Sequence, residues 1–337
     1  MKKSETQEDL AKNNILVTGG TGLIGIPLVK KLQELGANVR VVSLDENSPF
    51  DEEIEFVRGD ICEREVCKEV LKDIDIVFHL AGIKGGIGVA KTKASTFLLK
   101  NILMNIQIME AAREAHVKRF LYTSSICIYP PARVFEEKNA FAGLPHPSDR
   151  FGGISKLVGE MQIEAYKLQY DTEGFLTIRP GNTFGPYDNF NSTSALIIPA
   201  LIQRVVGGEN PLTVWGDGSA VRDFVYADDV ADLMILMVRR NVTEPLNAGS
   251  GEPLTIKTVA ETVVRHAGKI LDRRIGIEWD TSKPQGEKYR VTSIEKAKST
   301  LGWSPKVSFD AGIEKTIKWY AANKSKLLKR YSIMSED

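Results

Sequence analysis

A glycine-rich turn between an apolar run and a helical pattern is the feature that most constrains how this chain can fold. Asn14 to Thr18 form an apolar run typical of a buried strand, and a helical pattern extends from about Gly22 to Leu35. The turn between them reads Thr18-Gly19-Gly20-Thr21-Gly22-Leu23-Ile24-Gly25. A strand that enters a helix through such a turn is the first half of a βαβ unit, in which the last glycine lets the helix pack closely on the strand. The chain is therefore expected to begin as a parallel α/β structure.

The same alternation of short apolar runs and longer helical patterns continues to about residue 180. We expect further strands at about 39–44, 54–57, 75–80, 119–123 and 176–179, and helices at about 64–71, 95–115 and 153–170. Strands separated by helices give right-handed crossovers and a parallel sheet that is covered on both faces. The predicted fold is an α/β, Rossmann-like, doubly wound parallel sheet. After residue 180 turn signals break the pattern, which indicates a smaller C-terminal α/β lobe.

The glycine turn also predicts a ligand. Backbone N–H groups at a helix start can bind a pyrophosphate when no side chain intervenes. Asp45 follows the second strand, 20 residues after Gly25, where an acid can bind both adenosine ribose hydroxyls and would repel a 2′-phosphate. The pattern therefore favours NAD over NADP, with a solvated loop acid next to Glu46 as the alternative for Asp45.

These observations suggest three segments. We expect residues 1–12, which are polar and lack the apolar run of a secretory signal, to form a flexible tail. An NAD-binding Rossmann domain is predicted over 13–180. A mainly substrate-binding lobe is predicted over 181–330, with some segments returning to the main sheet.

Charge and cysteine content exclude several classes of protein. The chain has 44 basic and 44 acidic residues, so no net field draws it to nucleic acid or to an anionic membrane. No apolar stretch approaches the ~20 residues that span a bilayer. Cys62, Cys67 and Cys127 form neither a metal-ligand pattern nor a disulfide framework. We therefore expect no metal and no membrane or nucleic-acid partner, and a reducing cytoplasm fits best.

Motifs along most of the chain carry a family resemblance. Beside the glycine turn they are Arg58-Gly59-Asp60-Ile61, His79-Leu80-Ala81-Gly82, Asn101, Arg179-Pro180-Gly181-Asn182-Thr183-Phe184-Gly185-Pro186 and Leu301-Gly302-Trp303-Ser304-Pro305. Over about residues 13–322 the chain resembles the extended short-chain dehydrogenase/reductases, the nucleotide-sugar epimerases and dehydratases. The resemblance implies NAD as cofactor, bound by Gly19, Gly22, Leu23, Ile24, Gly25, Asp45, Asp60, Ile61, Leu80, Ala81, Gly82, Asn101, Ser124, Lys156 and Pro180.

A second set of motifs resembles the GDP-sugar members of that family, the enzymes of the GDP-L-fucose synthase type. They are Gly85-Gly86-Ile87, Ser125-Ile126-Cys127-Ile128-Tyr129-Pro130, Asp188-Asn189-Phe190, Ile198-Pro199-Ala200-Leu201, Val214-Trp215-Gly216-Asp217-Gly218 and Lys283-Pro284-Gln285-Gly286. This resemblance implies that a nucleotide sugar, with GDP as the leading nucleotide, contacts Lys84, Ser125, Asn182, Arg204, Val214, Trp215, Arg222 and Lys283. A generic nucleotide-sugar pocket is the alternative, as is a solvated helix position for Arg204.

Residue 152 departs from this pattern. The stretch Phe151 to Leu157 resembles the Tyr-x-x-x-Lys catalytic segment of the family, with Lys156 in place and Gly152 at the tyrosine position. In the family that tyrosine takes the sugar O4 proton while hydride leaves C4. The catalytic candidates that remain are Ser125, Cys127 and Lys156.

Other catalytic sets of the family are incomplete as well. Leu196 stands where the fucose synthase-type enzymes have the histidine that pairs with Cys127. The Asp-Glu pair of the 4,6-dehydratases is replaced by Cys127-Ile128. The resemblance therefore favours hydride transfer at C4, as an epimerase or a net dehydrogenase, over double epimerisation or dehydration.

Several accounts of Gly152 stay open. Lys156 or Cys127 could act as the base, directly or through a water, because a desolvated lysine can lose its proton more easily. A side chain such as His146 or Asp149 could reach the site instead. The protein could bind NAD and a nucleotide sugar without turnover, as a regulatory protein, or the glycine could be a sequence change introduced for crystallography.

Two further expectations concern helices. The helices at about 95–115 and 153–170 carry more apolar surface than one sheet face needs, and two such helices per subunit form the dimer interface in this family. We therefore expect a homodimer. Asp228-Asp229 is predicted to be a helix N-cap.

Overall fold

The computed structural model describes residues 8–83, 92–191, 194–283, 286–325 and 327. Its strands are β1 (Asn14–Thr18), β2 (Asn38–Ser43), β3 (Glu55–Arg58), β4 (Ile76–His79), β5 (Arg119–Thr123), β6 (Val134–Phe135), β7 (Phe175–Pro180), β8 (Asn182–Phe184), β9 (Leu212–Trp215), β10 (Val221–Arg222), β11 (Phe224–Tyr226), β12 (Leu246–Ala248), β13 (Leu254–Thr255), β14 (Ile277–Asp280) and β15 (Tyr289–Thr292). Its helices are α1 (Gly25–Glu34), α2 (Arg64–Val70), α3 (Ala94–Glu114), α4 (Arg150–Tyr170), α5 (Ile197–Val206), α6 (Ala227–Arg239), α7 (Ile256–Ile270), α8 (Glu295–Leu301) and α9 (Phe309–Asn323).

A seven-stranded sheet in the order β12-β7-β5-β4-β1-β2-β3 forms the centre of the molecule. Every neighbouring pair in it is parallel. Helices cover both faces: apolar side chains of α1 and α6 pack on one face, and those of α2, α3 and α4 pack on the other. This arrangement confirms the predicted Rossmann-like, doubly wound fold. The predicted boundaries were less accurate, since α1 begins at Gly25 rather than Gly22 and α4 begins at Arg150 rather than Gly153.

The later part of the chain builds a smaller lobe with its own apolar core, in which α5, α7 and α9 pack together. A four-stranded sheet in the order β13-β10-β15-β6 lies in this part of the molecule. Strand β12 nevertheless pairs with β7 in the main sheet, and α6 packs into the main core. A domain boundary at residue 180 stays a prediction, because these two later elements belong to the first core.

Two expectations about local structure were wrong. The flexible tail was expected to extend to residue 12, but Leu10 is buried in the main core and the Glu8 N–H donates to the Arg239 carbonyl at 2.8 Å. Asp229 is not an N-cap, because α6 begins at Ala227 after Tyr226. Its carboxylate instead accepts hydrogen bonds from the backbone N–H groups of Lys306 and Val307. It thereby ties α6 to the chain that leads into α9.

Among the described residues, no helix combines the length and the apolar character needed to cross a membrane.

Candidate active site

The glycine turn lies between β1 and α1, at the carboxyl edge of the main sheet. A Cβ on Gly25 would lie 2.5 Å from the Gly19 carbonyl oxygen, so only glycine permits this approach of helix and turn. Gly22, Leu23 and Ile24 are only half-buried, which leaves backbone at the helix start accessible. Backbone N–H groups at this helix start could therefore hold a pyrophosphate.

Asp45 lies beside this turn, just after β2. Its Oδ2 accepts a hydrogen bond from Ser43 Oγ at 3.3 Å, and Ser43 Oγ is 3.0 Å from Thr21 Oγ1 in the turn. The acid is thus held next to the glycine turn. A ribose bound there would find a carboxylate acceptor.

The other residues predicted for the cofactor follow the strands of the main sheet or face them. Asp60 and Ile61 follow β3; Leu80, Ala81 and Gly82 follow β4; Ser124 follows β5; Pro180 ends β7; Asn101 comes from α3. Ser124 Oγ is buried and has no hydrogen-bond partner among the described residues. A buried polar atom without a partner is costly unless a ligand or water satisfies it, so these residues fit a bound dinucleotide.

Asn101 joins α3 to the strand that ends beside it. Its Oδ1 accepts from the Ile83 N–H at 2.8 Å, and its Nδ2 donates to the Phe97 carbonyl at 2.8 Å. The side chain therefore fixes the chain that leaves β4, at the point where Gly82 faces the site.

Lys156 lies on α4 and reaches the end of β5. Its Nζ donates to the Thr123 carbonyl at 2.8 Å and lies 3.4 Å from the position that a Cβ on Gly82 would occupy. Burial lowers the pKa of Lys156 to about 8, although the Glu160 carboxylate acts in the opposite direction. A substantial fraction of the side chain is therefore a neutral amine at mildly alkaline pH, which is the form that can accept a proton.

Gly152 and Gly153 are neighbours near the start of α4, but they differ in the space that is available to a side chain. Around Gly152, an added Cβ would meet no described atom closer than Phe97 Cδ1 at 4.0 Å. Around Gly153, an added Cβ would lie 2.3 Å from the Cys127 carbonyl oxygen. Glycine is therefore required at 153 by packing, whereas nothing in the described surroundings requires it at 152.

This contrast gives a prediction about stability. Gly153→Ala is expected to lower the free energy of unfolding by about 2 kcal/mol, because α4 must move away from the turn that carries Cys127. Gly152→Ala is the matched control and should be neutral or stabilising by up to ~1 kcal/mol, since alanine favours the helix. Urea unfolding of both variants measures the difference, and equal midpoints would contradict the packing described for Gly153.

Cys127 lies in a 3₁₀ turn, Ile126–Ile128, which follows β5, and Ser125 caps the start of that turn. Ser125 Oγ accepts from the Cys127 N–H at 3.1 Å, so its hydroxyl proton points toward other acceptors. Burial raises the pKa of the Cys127 thiol and Asp149 raises it further, while Arg290 acts in the opposite direction. Cys127 is therefore a neutral thiol at neutral pH and a poorer base than Lys156.

The side chains considered as replacements for the tyrosine are engaged elsewhere. Asp149 Oδ2 lies 2.6 Å from Arg290 Nη1 in an ion pair. His146 Nδ1 lies 2.7 Å from Ser148 Oγ. Asp149 is thus committed to Arg290 in this arrangement.

The residues predicted to bind the substrate differ in whether their side chains are available to a ligand. Asn182 Nδ2 donates to the Asp223 carbonyl at 2.9 Å, and Val214 is buried with its side chain in the lobe core. Arg204 forms a bidentate pair with Glu209, which also accepts from the Thr213 N–H. Arg204 is thus committed to the protein in this structure. Lys84 lies outside the described residues.

Trp215 and Lys283 form an exposed platform at the end of β9. The Trp215 side chain is 58% exposed, and Lys283 Nζ lies 5.9 Å from its ring centroid. A large aromatic ring that is held open at a strand end can stack against a planar base.

Arg222 has a neighbour that sequence reasoning missed. Arg222 on β10 is the register partner of Arg290 on β15, in parallel strands, so both side chains leave the same face of the small sheet. Arg290 Nη2 lies 3.8 Å from Cys127 Sγ. No local pattern around Arg290 marks it, because its position follows only from the pairing of two very short strands.

Comparison with known proteins agrees with this fold. Residues 15–249 match the NAD dependent epimerase/dehydratase family. GDP-L-fucose synthase 1 of Arabidopsis thaliana is 32% identical over 317 residues, which cover 92% of this chain and 93% of that protein. GDP-mannose 3,5-epimerase 1 of Oryza sativa subsp. indica is 27% identical over 315 residues, which cover 91% of this chain and 82% of that protein.

Among solved structures, the epimerase Mth375 of Methanothermobacter thermautotrophicus superposes with a TM-score of 0.81 at 30% identity and covers 94% of both chains. The fold and the glycine turn define a protein of the Rossmann type. The chain belongs to the NAD dependent epimerase/dehydratase family, and both of these relatives are named as GDP-sugar enzymes.

Proposed function

We propose that this protein is an NAD-dependent enzyme that oxidises C4 of a GDP-linked sugar and uses Lys156 for the proton transfer that a tyrosine makes elsewhere in the family. The observation that carries the proposal is the arrangement on α4. Lys156 keeps its place beside Gly82 and Thr123 with a pKa of about 8, while the position one turn earlier is a glycine with room beside it.

The residues predicted to bind the cofactor favour NAD as that cofactor. The bound nicotinamide would supply a hydride acceptor for the sugar C4. Gly22 and its neighbours would bind the pyrophosphate, Asp45 would accept from the adenosine ribose, and the buried Ser124 hydroxyl would gain a partner. An acid at position 45 disfavours the 2′-phosphate of NADP.

The proton path follows from the protonation states at the site. The neutral amine of Lys156 accepts the O4 proton, either directly or through a water beside Gly152, as hydride leaves C4. Ser125 donates its hydroxyl proton to the same sugar oxygen and holds it in place. If the reduced cofactor returned the hydride to the other face of C4, the protein would be an epimerase. If the 4-keto sugar left first, and the reduced cofactor were exchanged or reoxidised by a second substrate, the protein would be a net dehydrogenase.

Cys127 has a narrower role in this proposal. Its thiol is neutral, and Leu196 stands where the second acid/base of the fucose synthase-type enzymes would be. One neutral thiol without that partner does not support epimerisation at two carbons. We therefore favour redox chemistry confined to C4.

Residues of the smaller C-terminal lobe indicate which nucleotide the sugar carries. Trp215 offers an exposed ring at the end of β9, and Arg222 offers a guanidinium whose paired donors suit a diphosphate. The two curated relatives described above are both named for GDP-sugar substrates. The ring and the guanidinium suit any nucleoside diphosphate, and the names of these two relatives favour GDP over UDP as the nucleotide.

Mixing stoichiometric protein and NAD with GDP-mannose-type sugars, including heptose forms, tests the proposal. We expect the absorbance of the reduced nicotinamide to rise with one GDP-sugar and to stay flat with the UDP-sugar that carries the same sugar. A flat trace with every GDP-, UDP- and dTDP-sugar, while binding is still detected, would overturn the enzymatic function. That outcome would support the alternative of a non-catalytic protein that binds NAD and a nucleotide sugar.

We also propose that the protein is a homodimer through α3 and α4. The two helices pack against each other and expose large apolar side chains, among them Leu99 and Ile106 on α3 and Met161 and Leu168 on α4. Leu168 is 84% exposed and Met161 is 57% exposed. Apolar side chains gathered on one helix pair are typical of a covered interface.

The dimer gives a separate prediction. Met161→Glu with Leu168→Glu is expected to convert a dimer into a monomer in sedimentation velocity, because two charges would be buried without partners. Leu35→Glu, at an apolar side chain that is 39% exposed after α1, is the matched control and should leave the dimer intact. A wild-type protein that sediments as a monomer would contradict the proposed homodimer.

A further inference from the structure

A chain of buried polar side chains connects two parts of the candidate active site. Its members are Thr18 at the end of β1, His79 at the end of β4, Asn105 on α3 and Tyr122 on β5. Asn105 is 1% exposed and the other three are 0% exposed. A buried polar group is costly unless it is hydrogen-bonded, so each link of such a chain constrains the next.

At one end the chain reaches two backbone carbonyls of α4. Tyr122 donates its hydroxyl proton to the Lys156 carbonyl at 3.2 Å, and Asn105 Nδ2 donates to the Ser155 carbonyl at 3.2 Å. The second proton of Asn105 Nδ2 goes to the Tyr122 hydroxyl oxygen at 3.0 Å. Because a carbonyl can only accept, these bonds determine which edge of the Asn105 amide faces the helix.

The orientation of the Asn105 amide determines the remaining links. Its Oδ1 lies 3.0 Å from His79 Nε2, so that nitrogen carries a proton and donates it. Burial lowers the pKa of His79 to about 3, so the ring is neutral and its Nδ1 is an acceptor. Thr18 Oγ1, which is 2.7 Å from Nδ1, therefore donates to it and accepts from the Ala81 N–H at 3.1 Å. Every link thus runs in one direction.

Both ends of the chain lie in the candidate active site. Thr18 begins the glycine turn, and Ala81 precedes Gly82, which faces the Lys156 amine. At the other end, the bonded carbonyl belongs to Lys156 itself, and the Lys156 Nζ lies 5.1 Å from the centroid of the Tyr122 ring. The turn of α4 that carries the amine is therefore joined through side chains to the start of the glycine turn.

Close packing keeps α4 within reach of this chain. A Cβ on Gly159 would lie 2.5 Å from the Tyr122 hydroxyl oxygen, so α4 can approach β5 this closely only with glycine at that position. A shift of α4 along β5 or away from it would break the hydrogen bond from Tyr122 to the Lys156 carbonyl.

We propose that Tyr122, Asn105 and His79 are positioning residues, which hold the Lys156 turn of α4 at a fixed place relative to the start of the glycine turn. The proposal rests on the function proposed above, because proton transfer from O4 and hydride transfer from C4 require the amine and the cofactor to be aligned on one sugar. None of the three side chains contacts the substrate in this account. They act through the backbone of α4.

Competitive labelling of lysine amines with trace acetic anhydride, read by mass spectrometry, tests the placement of Lys156 without cofactor or sugar. Tyr122→Phe keeps the ring and removes only the hydroxyl, while Asn105 still bonds the Ser155 carbonyl. We expect labelling of Lys156 to rise about fivefold relative to Lys167 on the same helix, the change that loss of one hydrogen bond allows. An equal rise at both lysines, or no rise at Lys156, would overturn the proposal.

Tyr166→Phe is the matched control for this experiment. The Tyr166 hydroxyl also joins α4 to α3, because it donates to Glu110. Its removal should leave the labelling of Lys156 unchanged. If Tyr166→Phe raised that labelling as much as Tyr122→Phe, any bond between α4 and its neighbours would have the same effect, and the chain described here would have no special role.

The His79 ring gives a spectroscopic test of the direction of the chain. In protein labelled with ¹⁵N-histidine we expect a neutral His79 ring with its proton on Nε2 near neutral pH. The sequence has 4 histidines, so the His79 signals are assigned by replacing the other histidines in turn. A proton on Nδ1 would require the Asn105 amide to turn round and would set its oxygen against the Ser155 carbonyl, which would overturn the proposal.

Turnover distinguishes this proposal from the proposed function. We expect Tyr122→Phe to lower the single-turnover rate of C4 oxidation about 10-fold, because a small misplacement of a reacting group slows the reaction. Tyr166→Phe should keep the wild-type rate. A Tyr122→Phe protein with changed labelling and an unchanged rate would contradict the positioning role. If no sugar reduces the nicotinamide, the proposed function fails, whereas the labelling and the ¹⁵N spectrum still decide whether the chain holds Lys156.

Discussion

Replacing Gly152 by tyrosine is expected to raise the rate of sugar C4 oxidation by about 10²-fold or more. A phenol at this position would restore a general base next to Lys156, and general acid–base catalysis typically contributes ~10²–10⁴-fold. An added Cβ at 152 meets no described atom closer than 4.0 Å, so the backbone of α4 does not oppose the substitution. Single-turnover formation of reduced nicotinamide with the best GDP-sugar measures the effect.

Gly152→Phe is the matched control for this experiment. It places the same ring beside Phe97 without the hydroxyl, so it tests filling of the space apart from proton transfer. We expect it to react no faster than the wild type, and more slowly if a water beside Gly152 carries the proton. A phenylalanine variant as fast as the tyrosine variant would show that packing, rather than the phenol, changes the rate.

Lys156→Met is expected to lower the rate of C4 oxidation by about 10³-fold, because the variant lacks the proposed general base. The wild-type rate should rise with pH, with a midpoint near the Lys156 pKa of about 8, since the neutral amine is the reactive form. This rise should be absent in Lys156→Met. Rate constants measured from pH 6 to about pH 10 test both statements.

Lys167→Met is the control on the same helix. Burial lowers the pKa of Lys167 as well, and its Nζ donates to the Thr243 carbonyl at 2.7 Å, away from the glycine turn and β5. This variant should keep both the rate and the pH dependence. A loss of rate equal to that of Lys156→Met would mean that any buried lysine of α4 matters through stability alone.

The central fold could be predicted because its determinants are local. Apolar runs such as Asn14–Thr18 and Phe175–Pro180 become strands that are buried on both faces, and the glycine turn leads directly into α1. The carboxyl ends of parallel strands lie at one edge of the sheet, so the residues after the neighbouring strands β4 and β5 come together. Lys156 meets both of these strand ends, at Gly82 and Thr123.

What could not be predicted depends on contacts between distant parts of the chain. Nothing next to Glu160 in sequence indicates that Arg179 neutralises it, and nothing next to Arg290 indicates that it reaches Cys127. Leu10 lies in a polar segment, and only the packed core gives it a partner. Arg204 was assigned to the substrate from a spacing, but Glu209, five residues later, binds it in the structure.

Transfer of the C4 hydrogen of the substrate is the most direct test of the account. A GDP-sugar that carries deuterium at C4 is mixed with stoichiometric protein and NAD, and the nicotinamide is analysed by mass spectrometry. The account predicts that the reduced nicotinamide gains the deuterium, and that the label returns to sugar C4 if the protein is an epimerase. Product formation without any deuterium in the nicotinamide, or no label transfer from any bound GDP-sugar, would contradict C4 oxidation by this protein.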